Sequence, residues 1–69
     1  MLHIGYLIEQ ELRRQGRSVA WLAKELYCDR TNVYKLFKKE DIDTLLLYRI
    51  SVILSHDFFK YYTEQLHKK

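Results

Sequence analysis

The chain has 69 residues, of which 48% are hydrophobic and 30% charged, and its formal net charge is only +3. This length allows one domain with a small core, which favours a binding module over an enzyme with a deep substrate cavity. The absence of proline, the two glycines and the single cysteine indicate helices with short connections and exclude an internal disulfide. No signal-peptide pattern and no apolar run of about 18 residues is present, so we expect a cytoplasmic protein without a membrane segment.

The first predicted helix covers about residues 3–15, because Ile4, Ile8 and Leu12 recur every four residues. Gly16 follows it, at a position where the chain after a helix often takes a positive φ. The pattern therefore predicts one amphipathic helix that ends in a tight turn.

Two shorter helices are predicted next, with only three residues between them. The second begins after Ser18, a favourable N-cap, and stops near Tyr27, and its apolar side carries Val19, Leu22, Ala23 and Leu26. Asp29 caps the third helix, whose apolar side carries Val33, Leu36 and Phe37. So short a connection forces the two helices to pack at a steep angle.

The fourth helix is predicted to begin at Asp43 or Thr44 and to reach Leu54. It is apolar on two sides, and the second side carries Leu45, Tyr48 and Val52. A helix that is apolar on two sides is usually buried between neighbours. The fifth helix therefore either covers the second side or leaves it as a contact surface.

Asp57 is the predicted cap of the fifth helix, which extends from Phe58 to about Leu66. Its main apolar face is expected to carry Phe59, Tyr62 and Leu66, with Phe58 and Tyr61 on another face.

Positive charge is concentrated on the third helix. Residues 30–39 carry four cations and no acid, a charge of +4, in a chain whose total is +3. With the apolar residues turned inward, the side chains of Thr31, Tyr34, Lys35 and Lys38 point outward. This face can donate hydrogen bonds to the acceptors that base edges and phosphates present in a major groove.

The segment VAWLAKELYCDRTNVYKLFK, residues 19–38, resembles the helix-turn-helix of the Cro and lambda-repressor type, the Xre family. Leu22 and Ala23 match its Leu-Ala pair, and Cys28 occupies the apolar turn position. The family usually has Gly where this chain has Tyr27, since that turn residue takes a left-handed conformation. The resemblance extends over residues 4–66 and implies an all-α, five-helix lambda-repressor-like DNA-binding domain, with residues 1–69 forming a single helix-turn-helix domain.

The expected function is sequence-specific binding of double-stranded DNA by a bacterial or phage transcriptional regulator. The candidate base-contacting residues are Arg30, Thr31, Asn32, Tyr34 and Lys35. The candidate phosphate contacts are Arg17, Ser18, Lys38 and Lys39. A homodimer is expected on DNA, through the fourth and fifth helices, with candidate contacts at Leu45, Tyr48, Val52, Phe58 and Tyr61.

Two other classes of function compete with this interpretation. The chain could be a protein-interaction module of the same fold, such as an antitoxin-like partner that uses its aromatic C-terminal helix. An enzyme is the weakest alternative, because no catalytic constellation, metal site or cofactor motif stands out. His3, His56 and His67 lack ligand spacing and are interpreted as surface residues. Trp21 is either a partly covered core residue or a partner contact.

Overall fold

The computed structural model describes residues 2–68, which form five helices and no strand. Their bounds are α1 (Ile4–Arg14), α2 (Val19–Glu25), α3 (Arg30–Phe37), α4 (Thr44–Leu54) and α5 (Phe59–His67). The all-α class and the order of the five helices, predicted from the spacing of apolar residues, are confirmed.

Side-chain caps explain where several helices begin. The Ser18 hydroxyl accepts a hydrogen bond from Trp21 N–H at 3.0 Å, and the Asp43 carboxylate accepts one from Leu46 N–H at 2.8 Å. Asp29 also holds the N-cap position of α3, but its carboxylate makes no capping hydrogen bond. The start of α3 instead depends on the Asp29 carbonyl, which accepts hydrogen bonds from Asn32 and Val33 N–H.

The left-handed turn expected at Tyr27 is present, with φ of +56°. Gly16, which follows α1, has φ of +71°, as its position predicts. Beyond Tyr27, Cys28 is partly buried against the core and its N–H donates to the Ala23 carbonyl at 2.9 Å. A tyrosine therefore occupies a backbone conformation that favours glycine, and the connection between α2 and α3 keeps its tight geometry.

The hydrophobic core is one cluster, and each of the helices α1 to α4 contributes to it. Each predicted inward position of α3 is buried, and so are the repeating apolar residues of α1. The largest fully buried side chains are Phe58, Ile4, Ile8, Leu12, Leu22, Ile50, Leu54 and Val33. Through this cluster α3 packs against both α1 and α2, which fixes which of its faces points outward.

Backbone groups also join α1 to the end of α3. The N–H of Gly5 donates to the Lys39 carbonyl at 3.0 Å, and the N–H of Ile4 donates to the Glu40 carbonyl at 3.4 Å. A Cβ at Gly5 would come within 2.4 Å of the Leu36 carbonyl oxygen and 2.6 Å of that of Phe37. Position 5 therefore needs glycine because two backbones meet there.

The main apolar face predicted for α5 agrees with the structure only at Phe59, which packs against the core. Phe58 is fully buried at the N-cap of α5, where its ring lies 4.7 Å from that of His56 and 6.2 Å from that of Tyr61. Tyr62 and Leu66, expected on the inward face, are exposed. The helix is thus anchored by its first turn, and Phe58 is unable to contribute to a surface between two copies.

A polar cluster at the junction of α1, α4 and α5 corrects the expectation that His56 lies on the surface. The side chain of His56 is only 17% exposed; its Nε2 lies 2.9 Å from the Tyr61 hydroxyl and its Nδ1 lies 3.6 Å from the Glu11 carboxylate. Gln15 Nε2 donates to both the Glu11 carboxylate and the Leu54 carbonyl, at 2.7 Å each. These contacts hold α5 and the end of α4 against α1.

Glu11 is the buried charge of this cluster, with 6% of its side chain exposed. It is stabilised as a carboxylate, because hydrogen bonds from Arg14, assisted by Gln15 and the charge of His56, lower its pKa to about 2 although burial raises it. The ordinary value is near 4.5. Glu11 therefore remains charged throughout the neutral range.

The second apolar side of α4 is not covered by α5. Leu45, Tyr48 and Val52 are all exposed, whereas Leu47, Ile50 and Leu54 on the opposite side are buried. Of the two expectations for these side chains, the structure agrees with an open surface.

Candidate nucleic-acid interface

The third helix has one packed side and one open side. Val33, Leu36 and Phe37 are at most 7% exposed. All five candidate base-contacting residues are exposed, namely Arg30, Thr31, Asn32, Tyr34 and Lys35. Because the inner side of α3 is held by the core, these five side chains remain on its open side.

Lys38 and Lys39 extend the open side past the end of the helix. Both side chains are exposed. The backbone of Lys39 is held by the hydrogen bond from Gly5 N–H, so the position of this pair is fixed although the side chains are long. The structure thus brings the two lysines next to the candidate base contacts.

A groove of about 250 Å³ lies beside α3, between the end of α1 and the start of α2. Its lining includes Arg17, Ser18, Tyr34 and Arg13. Three of these four were singled out from the sequence as contacts to DNA, and the fold gathers them around one concave surface. The Glu9 carboxylate also lines the groove and pairs with Arg13, so the groups left to meet the oxygens of a phosphate are the Arg17 guanidinium and the hydroxyls of Ser18 and Tyr34.

Arg17 is oriented by Trp21. The guanidinium carbon of Arg17 lies 4.5 Å from the centroid of the indole ring, which is within the range of a cation–π contact. Trp21 itself is partly buried and packs against the core. The contact limits the conformations of Arg17. Trp21 is therefore a partly covered core residue that also orients this arginine.

Tyr34 lies at the border between the open side of α3 and the groove beside it. Its ring packs edge-on against Phe37, with ring centroids 6.3 Å apart, and its side chain lines the groove. Tyr34 therefore belongs both to the open side of α3 and to the groove.

Arg13 is the cation of this region that sequence reasoning missed. Its Nη2 donates to the Glu9 carboxylate at 2.8 Å, and that hydrogen bond raises the pKa of Arg13 above its usual value. The spacing of four residues between Glu9 and Arg13 predicts such a pair. Its position in the groove depends on how α1 packs on α2 and α3, which no local pattern reveals.

An acidic segment adjoins the basic one. Glu40, Asp41 and Asp43 follow Lys39 directly in the chain, and all three are exposed. Negative charges repel a phosphate, so the connection between α3 and α4 is less favourable for anions than α3 itself.

Other kinds of site find little support in the part of the chain that the structure describes. Across residues 2–68, no three or more His, Cys, Asp or Glu residues group closely enough to hold a metal ion. No helix in the same range combines the length and apolar character needed to cross a membrane.

Comparisons of the chain with protein-family models, curated proteins and solved structures find no match.

Proposed function

We propose that the protein binds double-stranded DNA in a sequence-specific way, with α2 and α3 acting as a helix-turn-helix of the Cro and lambda-repressor type. The observation that carries the proposal is the division of α3 into a buried apolar side and an exposed cationic side. That division presents the α3 side chains to a major groove while the core holds the helix from behind. A bacterial or phage transcriptional regulator, cytoplasmic and nucleoid-associated when bound, is the expected role.

The residues divide into two kinds of contact. Arg30 and Asn32, in the first turn of α3, are suited to bidentate hydrogen bonds with guanine and adenine, respectively. Thr31, Tyr34 and Lys35 complete the surface that contacts base edges. Arg17, Ser18, Lys38 and Lys39 contact phosphates, because they flank α3 in the groove and beyond its end.

The test compares the binding of selected and random duplexes over a range of salt concentrations. Arg30→Ala is expected to weaken the selected duplex by about 1–3 kcal/mol and to relax the preference at one or two base pairs. Lys39→Ala is expected to weaken all duplexes alike and to reduce the salt dependence by about one unit per protomer. Equal weakening of random and selected duplexes by Arg30→Ala would show that Arg30 does not contact bases.

Lys60→Ala is the matched control for Lys39→Ala. Lys60 is exposed on α5, and its replacement removes the same charge from a different helix. If both lysine variants lower affinity equally, the net charge and not a placed phosphate contact causes the loss.

A protein-interaction module remains the second candidate, and exposed residues of α5 favour it. Tyr62 and Leu66 leave apolar surface on the outer side of that helix, as an antitoxin-like partner would need. Absence of salt-dependent duplex binding at low ionic strength would reject DNA binding and leave this candidate.

A further inference from the structure

A second groove beside α3, here named the α3–α4 groove, lies between that helix and the start of α4. It has a volume of about 250 Å³ and is lined by Asn32, Lys35, Leu36, Lys39 and Leu46. Leu36 is 5% exposed and Leu46 is partly buried against the core, so the two leucines form an apolar floor. Sites for small molecules are typically concave and mostly apolar, with a few polar groups that orient the ligand. The α3–α4 groove has this composition.

The charged residues that line the α3–α4 groove are both lysines. Lys35 and Lys39 are exposed and lie four positions apart, a spacing that makes them neighbours on one side of a helical turn. Among residues 2–68 neither ammonium group forms an ion pair, and the lining includes none of the acidic residues that follow Lys39. Like charges at this spacing repel each other, so an anion held between them relieves the repulsion.

Backbone contacts fix the rim of the α3–α4 groove. The Lys39 N–H donates to the Leu36 carbonyl at 3.1 Å, and the Lys39 carbonyl accepts from the Gly5 N–H at 3.0 Å. On the other side, the Leu46 N–H donates to the Asp43 carboxylate at 2.8 Å, which occupies that acid in capping α4. The apolar floor and the backbone of the cationic rim are thus in place before a ligand binds, which lowers the entropic cost of binding.

We propose that the α3–α4 groove binds a small amphiphilic anion of the medium-chain carboxylate class. The apolar tail lies on Leu36 and Leu46, and the carboxylate lies between the ammonium groups of Lys35 and Lys39. A cation is repelled by both lysines, and a small anion without a tail gains nothing from the leucines. The two positive charges above an apolar floor therefore select an anion that carries a tail.

The site itself is defined without DNA, and its first tests use the chain alone. A regulatory consequence rests on the proposed function, in which Lys35 contacts base edges and Lys39 a phosphate. The same ammonium groups are unable to hold a carboxylate and a duplex at once. The anion is then an effector that releases the protein from DNA.

Titration of the isotope-labelled full chain with octanoate, followed by NMR, gives the first test. The signals of Asn32, Leu36 and Leu46 are expected to shift and to saturate with a dissociation constant of about 1 mM or lower, as suits a ligand of this size. Acetate lacks the tail and octylammonium reverses the charge, so each is expected to bind at least about tenfold more weakly. Absence of saturable shifts up to about 10 mM octanoate, or equal binding of either control compound, overturns the proposal.

Charge variants test the position of the carboxylate. The double variant Lys35→Gln with Lys39→Gln is expected to weaken octanoate binding about tenfold, because it removes both charges of the rim and keeps long side chains. Lys60→Gln with Lys68→Gln removes the same charge from exposed positions at α5 and is the matched control. Equal effects of the two double variants would show that net charge alone attracts octanoate, and would overturn the proposal.

Apolar variants test the position of the tail. Leu46→Ala reduces the floor of the groove and is expected to weaken octanoate binding by about threefold or more. Val52→Ala removes apolar surface from an exposed position of the same helix, outside the groove, and should leave the binding unchanged. The NMR spectrum of each unbound variant shows whether it is folded. A folded Leu46→Ala chain that binds octanoate as wild type does would contradict the assigned floor.

A duplex-binding assay separates the site from the proposed function. Octanoate is expected to weaken duplex binding, with half of the effect at the concentration that half-saturates the groove, and acetate at the same ionic strength is the control. A chain that binds octanoate but no duplex supports the site and rejects the proposed function, whereas a chain that binds duplex but no octanoate does the reverse. Octanoate that binds without weakening the duplex would show that Lys35 and Lys39 do not hold the carboxylate, and would overturn the assigned site.

Discussion

Tyr27 combines an unfavourable backbone conformation with an exposed ring. In the monomer, Tyr27→Gly removes the cost of the positive φ, whereas glycine also increases the entropy of the unfolded chain. We therefore expect the free energy of unfolding to stay constant or to rise by up to about 1 kcal/mol. The free energy of unfolding is measured by urea unfolding, at a protein concentration low enough to exclude dimers.

Ser55→Gly is the companion to that experiment. Ser55, the C-cap of α4, has φ of +50° and is exposed. Glycine there also removes the cost of a positive φ and raises the entropy of the unfolded chain, but no large ring is lost. A clear loss of stability in Tyr27→Gly but not in Ser55→Gly would show that the tyrosine ring packs within the monomer.

Glu11 gives the protein a predictable response to acid. Its pKa in the folded state, about 2, lies below the ordinary value of 4.5, so the folded state binds its proton less readily than the unfolded chain does. The stabilisation is complete above pH 4.5 and is lost as the pH falls from 4.5 towards 2. We expect the melting temperature to fall through this window.

Glu11→Gln should lower the melting temperature at neutral pH and flatten its decline in acid, because the group that titrates has been removed. Glu64→Gln, on the exposed part of α5, is the control and should keep the wild-type decline. An unchanged acid profile in Glu11→Gln would show that other carboxylates dominate the response.

At the scale of elements, the junction of α1 with α3 is governed by Gly5. Gly5→Ala places a methyl group against carbonyl oxygens of backbone that is unable to yield as a flexible side chain does. We expect a loss of about 1–3 kcal/mol in the free energy of unfolding.

Gly16→Ala separates this steric effect from the conformational one. A Cβ at Gly16 would meet nothing within 4 Å, so only the positive φ opposes alanine there, at about 1 kcal/mol. Urea unfolding of both variants measures the difference. An equal or smaller loss in Gly5→Ala would contradict the close contact between α1 and α3.

The helices differ in how well the sequence predicts them. The predicted start and end of α4 agree with the structure because Asp43 is a strong cap and the apolar spacing is regular. The main apolar face predicted for α5 is confirmed only at Phe59, because aromatic residues lie on more than one side of this helix and their spacing does not select one side. Tertiary contacts of Phe58 and His56 made that choice.

The candidate site also has parts that local sequence spacing predicts and parts that depend on tertiary contacts. Local periodicity was sufficient to predict which residues of α3 are exposed, since three apolar positions determine the orientation of a short helix. The groove that brings Arg13 to Arg17 and Tyr34 depends on three helices at once. The polar cluster around Glu11 joins residues more than forty positions apart, and no sequence spacing indicates such contacts.

At the scale of the molecule, one chain measures 38 × 20 × 20 Å and carries a single helix of the type proposed to enter DNA. One such helix contacts only a few base pairs, so affinity and specificity require a second copy. A two-fold dimer suited to DNA of this kind would place the two α3 helices about 34 Å apart, in successive major grooves. We therefore expect the preferred site to be an inverted repeat with half-site centres about 10 base pairs apart.

Selection from a random duplex pool, with the mass of the complex measured, checks this expectation. Val52→Glu should lower the affinity for the full repeat much more than that for an isolated half-site, because it affects only the contact between copies. A non-palindromic site bound by one chain would reject the dimer on DNA while leaving the DNA-binding proposal intact.

The stacking of Arg17 on Trp21 gives the protein an optical signal. The chain has one tryptophan beside six tyrosines, so emission excited beyond the absorption of tyrosine comes from one known place. Indole emission depends on the groups that lie over the ring, so it is expected to change if Arg17 leaves the ring to contact a phosphate as proposed. Unlabelled duplex can therefore be titrated in an ordinary fluorimeter, and Lys39 variants can be compared with wild type without attaching a dye.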